Sequence, residues 1–230
     1  MRQDNPAPYP FVKPLRCAAA AATLTIALLL AACTTPPPKP QLTAADAADI
    51  DRIAAYLNSI PRFEARFVQF GSFGQSSGVI LLDRPAGDMR IDYPAADGRT
   101  IVIANGEVQI VDRNRDSTTT MAVSRTPLGM LLTPTINLSG AVTVEGLARL
   151  PGMIQITLRK TDQPSQGSLT LTLADQPLRL IAVSVIDARQ QTLTMHLADI
   201  DVAPKLTPDM FQLKWTPDVG QESRATSITH

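Results

Sequence analysis

The pentapeptide Gly74-Gln75-Ser76-Ser77-Gly78 matches the G-x-S-x-G pattern that surrounds the nucleophile of many serine hydrolases. That chemistry needs the serine on a sharp turn between a strand and a helix, with a histidine base within reach. Here the motif runs into VILLDRP, an apolar stretch typical of a strand. The two histidines are His196, at a polar position of a predicted strand, and His230, the last residue. We therefore interpret the motif as a β-loop and keep a hydrolase using Ser76 as the least favoured function.

Other chemistry is also missing from the sequence. The charges balance, with 21 basic and 21 acidic residues, which gives no electrostatic reason to expect a nucleic-acid partner. Cys17 lies in an N-terminal segment that we interpret below as a signal peptide, and the one remaining cysteine with two separated histidines cannot assemble a structural zinc site. No glycine-rich phosphate loop precedes a helix. The sequence therefore predicts no catalytic site, no metal and no cofactor, which favours a binding protein over an enzyme.

Cys33 is the residue whose surroundings indicate a chemical modification. It follows a positive leader that contains Lys13 and Arg16, and then an apolar run, Cys17–Ala32. That run is shorter than the ~20 apolar residues of a membrane-spanning helix, and it ends in small residues. We interpret residues 1–32 as a secretory signal peptide, so the mature chain keeps one cysteine and cannot form an internal disulfide.

The sequence around Cys33 has two interpretations. Leu30-Ala31-Ala32-Cys33 resembles a bacterial lipobox, in which the cysteine is acylated and becomes the new N-terminus. The alternative is an ordinary signal peptide cut near Ala32, with Cys33 unmodified. Residues 34–43 contain four prolines. In polyproline II geometry, at ~3.1 Å per residue, they would hold a domain roughly 30 Å from a bilayer, although a disordered N-terminus has the same composition.

The rest of the sequence predicts one long helix followed by strands. Thr43 can cap a helix with apolar residues along one face, which ends at Pro61. From Phe63 onward, apolar residues alternate with polar ones, which is the period of a strand. The pair Asn105-Gly106 between two apolar runs is the strongest hairpin signal in the chain. A second, short helix is predicted from Pro127 to Leu132.

These elements predict an α+β fold that is mostly β. We expect an incomplete antiparallel barrel of about ten strands, with the long N-terminal helix and short helices across its concave face. We divide the chain into the signal peptide 1–32, Cys33 with its tether as 33–43, a folded domain 44–216 and a flexible C-terminal tail 217–230.

Several stretches of the sequence, taken in order, form a recognisable set. They are LNSIPRFEARFVQF, SSGVILLDRPAGDMRIDYP, DGRTIVIANGEVQIVD, TPLGMLL, GSLTLTLADQPLRLIAVSVIDARQQTLTMHL and PDMFQL. Together they cover nearly all of the folded part, and Arg84-Pro85 closes the second predicted strand. With this set the chain resembles the LolA family of periplasmic carriers for outer-membrane lipoproteins, whose fold is an incomplete antiparallel barrel with helices as a lid.

The resemblance implies a function in lipoprotein transport. Carriers of this family take a lipoprotein from an ABC-type releasing complex in the inner membrane, shelter its acyl chains and pass it to the outer-membrane acceptor LolB. The expected partners are therefore acylated lipoprotein cargo, the releasing complex and LolB, and we expect a monomer in the periplasm. Shelter is physically necessary, because each methylene group removed from water is worth ~0.8 kcal/mol.

Such a carrier needs an apolar cavity, and inward-facing strand residues would line it. Leu, Ile, Val and Met make few directional demands, so a cavity built from them tolerates many clients. Our candidate lining residues are Phe67, Ile80, Leu82, Met89, Ile91 and Tyr93. For each of them, plain core packing is the alternative interpretation.

Arg84 is the candidate residue that regulates the cavity. Strand alternation places it on the same face as Ile80 and Leu82, which directs a charge toward an apolar interior. A buried arginine needs partners, because an unpaired buried charge is unfavourable. In the family, the matching arginine bonds to the lid and keeps the empty cavity closed, so the resemblance implies that Arg84 is this latch. The alternative is a strand-end arginine that reaches solvent past Pro85.

Whether Cys33 is acylated distinguishes two possible functions of the same fold. Without acylation, the protein would be a diffusing carrier. With acylation, and with Thr34 rather than an aspartate after the cysteine, we expect an anchor in the periplasmic leaflet of the outer membrane. The protein would then be an acceptor similar to LolB, or would combine both roles.

Overall fold

The structure is a computed structural model that describes residues 42–72 and 74–213. These residues form one α-helix, α1 (Ala44–Ser59), and one antiparallel sheet. The strands are β1 (Arg62–Gly71), β2 (Ser76–Asp83), β3 (Asp88–Asp92), β4 (Arg99–Ala104), β5 (Glu107–Asp112), β6 (Ser117–Ala122), β7 (Val142–Leu150), β8 (Met153–Lys160), β9 (Gly167–Ala174), β10 (Arg179–Asp187) and β11 (Thr192–Asp201). The predicted signal peptide, Cys33, most of the tether, His230 and the predicted C-terminal tail lie outside the described residues.

Helix α1 begins at the predicted cap. The Thr43 hydroxyl accepts a hydrogen bond from the backbone N–H of Asp46 at 3.2 Å, and the Asp46 carboxylate accepts one from the Thr43 N–H at 2.8 Å. This reciprocal pair is a capping box, which satisfies N–H groups that have no partner inside the helix. Ile53 and Leu57 are buried on the face turned toward the sheet. None of the helices in the described residues is long and apolar enough to span a membrane.

The sheet is open, and its two edge strands, β6 and β7, are consecutive in the chain. The strands are ordered β6-β5-β4-β3-β2-β1-β11-β10-β9-β8-β7, so β1 and β11 meet in the middle while β6 and β7 lie at opposite edges. The connection between β6 and β7, residues 123–141, must therefore cross the open side. It contains the predicted short helix, which is a 3-10 helix at Pro127–Leu131. We call α1 together with residues 123–141 the lid.

Local turn chemistry explains why the strands pair as they do. Asn105 and Gly106 join β4 to β5 with φ angles of 53° and 76°. Two consecutive residues with positive φ make the tight turn that matches the twist of a two-stranded hairpin. The predicted hairpin is therefore confirmed.

The eleven strands agree with our expectation of about ten, although one of them was not indicated by the sequence. This strand, β6, has the sequence STTTMA, and five of its six residues are exposed. It lies at an edge of the sheet, so neither of its faces has the alternating apolar residues that would identify a strand in the sequence. Our count of about ten strands came from that alternation and therefore missed it.

The buried residues form two clusters on the concave side of the sheet. One cluster packs Ile53 and Leu57 of α1 against the inward-facing leucines of β9. The other packs the inward-facing residues of β1 to β5, such as Phe67 and Ile91. Leu197 of β11 packs against both clusters, as does Leu128 of the lid, and the space between the clusters holds the site described next.

Candidate functional site

A cavity lies between the two clusters, beneath the lid. It contains about 900 Å³ that no protein atom occupies, including the part that is open to solvent. Its walls come from both halves of the sheet and from the lid: they are Leu57, Ile60, Phe63, Ile80, Leu82, Arg84, Met89, Ile91, Tyr93, Ile101, Leu128, Leu131, Ile136, Leu180, Val183, Val185, Leu193, Met195 and Leu197. Apart from the Arg84 guanidinium and the Tyr93 hydroxyl, the side chains in this wall consist of hydrocarbon or thioether groups. The site is thus chemically suited to alkyl chains.

Five of the six residues that we proposed as lining lie in this wall. They are Ile80, Leu82, Met89, Ile91 and Tyr93. Phe67 is buried behind the wall, with its ring edge-on to Tyr93 at a centroid distance of 5.5 Å. It is therefore a core residue that supports Tyr93, in agreement with the alternative of plain core packing.

Sequence reasoning missed the other side of the cavity. Val183 and Val185 of β10 and Leu193, Met195 and Leu197 of β11 line it. In β11 the signal was present, since Leu193, Met195 and Leu197 alternate with Thr194 and His196. Which alternating residues face the cavity, however, depends on the pairing of β1 with β11, and that pairing joins strands from opposite ends of the domain.

The hydroxyl of Tyr93 does not add polarity to the cavity. It donates a hydrogen bond at 2.7 Å to the side-chain oxygen of Gln69, which is 1% exposed. The Arg99 guanidinium lies over the ring, 4.7 Å from its centroid. Burial raises the pKa of Tyr93, so the phenol stays neutral at physiological pH. Tyr93 therefore presents its ring to the cavity and holds its polar end against Gln69.

Arg84 follows directly after β2 and points inward, as alternation predicted. It is 1% exposed. Its backbone N–H donates to the carbonyl of Pro61 at 3.0 Å, which holds the β2 end beside the residue that terminates α1. The guanidinium consequently lies beneath the last turn of the helix rather than in solvent, so the strand-end alternative does not describe its position.

The contacts of Arg84 are with the C-terminal turn of α1. Its Nη2 donates to the carbonyl oxygen of Leu57, and its Nη1 donates to Oδ1 of Asn58 at 3.2 Å. The last carbonyls of a helix lack partners within the helix, and the helix dipole places partial negative charge there. A cation is therefore stabilised at this position even though its acceptors are neutral.

Asn58 extends this contact to the other part of the lid. Its Nδ2 donates to the Ile136 carbonyl at 3.0 Å, and its Oδ1 accepts from the Ile136 N–H at 2.9 Å. The side chain thus pairs with a backbone unit in the way that a neighbouring strand would. Through Asn58, Arg84 is connected to both parts of the lid.

Arg84 nevertheless remains incompletely compensated. Among the described residues it forms no ion pair, and its buried Nε has no hydrogen-bond partner. Burial lowers the pKa of Arg84, because a charged group is less stable away from water. The cavity therefore has one cationic, donor-rich point in an otherwise apolar wall.

The G-x-S-x-G motif leads into strand β2, as we predicted. Ser76 is the first residue of β2, and its hydroxyl donates to the carboxylate of Asp97. Ser77 pairs with Val68 on β1, and Val68 pairs with His196 on β11, so a whole strand separates the serines from this histidine. At the usual strand spacing the separation is roughly 10 Å, which is beyond hydrogen-bond reach. The described residues also contain no group of three side chains able to hold a metal ion.

Several solved structures resemble this fold at low identity. An uncharacterised conserved protein from Thermus thermophilus is 14% identical, with 72% of this chain and 91% of that chain covered and a TM-score of 0.41. A structure in the MucA/MucB complex of Pseudomonas aeruginosa is 16% identical, with 73% of this chain and 61% of that chain covered and a TM-score of 0.40. The Mycobacterium tuberculosis lipoprotein LppX is 7% identical, with 72% of this chain and 100% of that chain covered and a TM-score of 0.36.

The sequence itself identifies the family. None of the curated protein sequences matches the chain. The profile of the family described as outer membrane lipoprotein carrier protein LolA, however, matches residues 58–214, which is more than half of the chain. This segment contains all eleven strands, Arg84 and the part of the lid that crosses the open side. The protein therefore belongs to the LolA family of lipoprotein carrier proteins.

Proposed function

We propose that this protein shelters the acyl chains of lipoproteins in its cavity and carries them through the periplasm to the outer membrane. The observation that supports this most directly is the apolar lining of the cavity beneath the lid, in which Arg84 is the one charged residue among those that the structure describes. Cavities that hold small ligands are mostly apolar. Membership of the LolA family supports lipoprotein as the cargo.

The physical basis is removal of hydrocarbon from water. Each methylene group that enters the cavity contributes ~0.8 kcal/mol, so a long acyl chain gains far more than the thermal energy. Met89 and Met195 line the cavity from opposite halves of the sheet and adapt easily to different chains. The cavity would consequently accept many lipoproteins by their shared lipid and not by their protein parts.

We further propose that Arg84 is the latch of the lid. Its hydrogen bonds to Leu57 and Asn58, and the bonds of Asn58 to Ile136, join the end of β2 to both parts of the lid. Entry of acyl chains would require at least some of these bonds to open. The partners in this cycle would be an ABC-type releasing complex in the inner membrane and an acceptor such as LolB in the outer membrane.

Capture of a lipoprotein from membranes tests the proposed function. The exported chain is incubated with inner-membrane vesicles that contain one lipoprotein in acylated form or with its acylated cysteine replaced. We expect a soluble complex with the acylated form alone. Val185→Phe, which narrows the cavity, should reduce the yield, and Val68→Phe on the outer face should not. Equal capture of both forms of lipoprotein would refute acyl-chain binding.

The sequence Leu30-Ala31-Ala32-Cys33 supports a second role, that of an anchored acceptor. In that role Cys33 carries lipid, and residues 34–43 set the reach of the domain from the outer membrane. Labelling with radioactive palmitate, followed by membrane fractionation, compares the wild-type chain with Cys33→Ala. The acceptor role requires label in the wild type that the variant loses. A label that persists in the variant, or a wholly unbound wild type, would exclude it.

A further inference from the structure

Among the residues that the structure describes, Arg84 is the only charged one in the cavity wall. The other lining residues offer hydrocarbon, sulfur or an aromatic ring, so no second lining residue supplies an opposite charge. The guanidinium is 1% exposed, which removes it from bulk solvent. A ligand in this cavity therefore either contacts the buried cation or leaves the cation surrounded by apolar groups of the protein and of the ligand.

The cation has donors to spare. A guanidinium carries five N–H groups and no acceptor. Two contacts are filled by neutral oxygens, the Leu57 carbonyl and Oδ1 of Asn58. The Nε–H has no partner among the described residues, and no carboxylate of those residues pairs with Arg84. The Nε–H is therefore a donor that neither contact to α1 uses.

This arrangement is unfavourable without a guest that brings an acceptor. A buried charge that lacks a counterion is expensive, and a buried N–H without an acceptor adds to that penalty. A guanidinium does not escape by losing its proton in a protein. A ligand that places an oxygen atom with negative or partial negative charge beside Arg84 would lower this energy most directly.

We infer that Arg84 is a head-group contact, which binds the carbonyl or carboxylate oxygen at the end of an acyl chain lying in the cavity. The preferred guest is therefore an acyl compound, with an oxygen acceptor next to its alkyl chain, rather than any hydrocarbon of the right length. This inference rests on the proposed function and adds the chemistry of the guest's polar end. Two sources share that chemistry, the glyceryl esters of a lipoprotein and a free fatty acid.

A purely mechanical latch makes a different prediction. If Arg84 only fastened the lid, its replacement would change how fast all guests enter and leave, by a similar factor for each. A head-group contact instead changes the ranking of guests that share one alkyl chain. The ranking is therefore the measurement that separates the two roles.

The test uses three probes with the same chain, namely dodecanoate, methyl dodecanoate and dodecylammonium, below their micelle concentrations. Each displaces the neutral dye 1-aminoanthracene from the full chain, and displacement gives its affinity. We expect wild type to bind the carboxylate about tenfold more tightly than the ammonium, with the ester between them, because charge-assisted hydrogen bonds are the strong ones. Arg84→Met should bring the three affinities to within about threefold of one another.

Two further variants keep the outcome interpretable. Arg84→Lys keeps the charge but not the planar donors, so it should still prefer carboxylate to ammonium. Arg66→Met removes an arginine from the outer face of β1, where its side chain is 77% exposed, and should rank the probes as wild type does. Circular dichroism checks that each variant is folded. If Arg84→Met does not fold, the affinity rankings of the three probes in wild type and in Arg84→Lys test the head-group contact.

The possible results point to different conclusions. Equal affinities for the three probes in wild type would overturn the head-group contact but leave an acyl-binding cavity in place. A ranking that survives in Arg84→Met would also overturn it. Failure of every probe to displace the dye would overturn both the contact and the proposed function. A carboxylate preference without an ester preference over ammonium would assign the contact to free fatty acids rather than to glyceryl esters.

Discussion

The side chain of Asn58 pairs with the backbone of Ile136 through two hydrogen bonds, of 3.0 Å and 2.9 Å. The two residues lie in different parts of the lid, Asn58 in the last turn of α1 and Ile136 in the connection between β6 and β7. The same Oδ1 that accepts from Ile136 also accepts from Arg84. Asn58 is thus the residue at which the three components of the proposed latch meet.

We predict that Asn58→Ala loosens the lid. The substitution removes both bonds to Ile136 and leaves its buried N–H and C=O without these partners, which costs about 1–3 kcal/mol of unfolding free energy. A bound fluorescent dye should also leave the cavity faster, and stopped-flow measurement of its release gives the rate. Asn137→Ala is the control, because within 42–72 and 74–213 the Asn137 side chain hydrogen-bonds only to nearby Ser139. Release at the same rate in both variants would show that Asn58 does not hold the lid.

We predict that Arg84→Leu folds and retains lipoprotein but fails to pass it on. Arg84 is buried without an ion pair among the described residues, so an apolar replacement removes an unfavourable buried charge together with two hydrogen bonds to neutral oxygens, and the variant should still fold. Transfer of a labelled lipoprotein to outer-membrane vesicles measures delivery, and Arg66→Leu is the exposed control. Normal delivery by Arg84→Leu would rule out the latch.

We predict that Gly78→Ala is strongly destabilising. A Cβ atom at this position would lie 2.1 Å from the backbone oxygen of Asp92 and 2.8 Å from a ring carbon of Phe67. The backbone of β3 would have to move, and overpacking of this kind costs about 1–3 kcal/mol or more. Gly146→Ala in β7 is the matched control, since no atom lies within 4 Å of its added Cβ. Urea unfolding compares the two, and equal midpoints would contradict the prediction.

We predict that Asp46 stabilises the fold in a pH-dependent way. Hydrogen bonds from the Thr43 N–H and from the Arg149 guanidinium lower the pKa of Asp46 from 3.8 to about 2. The folded pKa is the lower one, so the contribution is present above 3.8 and is lost as pH falls through about 2. Wild type should thus have a higher Tm than Asp46→Ala at pH 6, and the difference should become much smaller by pH 2.

The control for Asp46 is an exposed ion pair. Arg66 and Asp199 lie 3.7 Å apart, with both side chains more than two-thirds exposed. Pairs of this kind contribute little, so Arg66→Met should leave Tm close to wild type across the same pH range. A difference between wild type and Asp46→Ala that stays constant from pH 6 to pH 2 would contradict the assignment.

Local chemistry made much of the fold predictable. Thr43 with Asp46 defines the start of α1, and Asn105-Gly106 defines the β4–β5 turn, because both signals act between residues close in sequence. The exception among the strands is β6, whose threonines carry no alternation to detect. The inward position of Arg84 also follows from alternation along β2.

The candidate site was predictable only on one side. Residues of β2 and β3 could be assigned because alternation along each strand places Ile80 with Leu82, and Met89 with Ile91, on one apolar face. Asn58 gave no signal, since its partner Ile136 is 78 residues away and is contacted through its backbone, which any residue type provides. Contacts of this length depend on how the sheet is ordered, and no local pattern contains that order.

The central seam of the sheet, where β1 pairs with β11, has a consequence for the order of folding. Strands β1 to β6 and β7 to β11 can each assemble by successive hairpins, but the seam brings together Phe67 and Leu197 from opposite ends of the domain. Closing so long a loop is slow, because its entropy is lost before the contacts form. The cavity wall needs both strands, so a nascent chain that still lacks β11 cannot capture cargo. Binding competence would therefore arrive only when synthesis of the domain is complete.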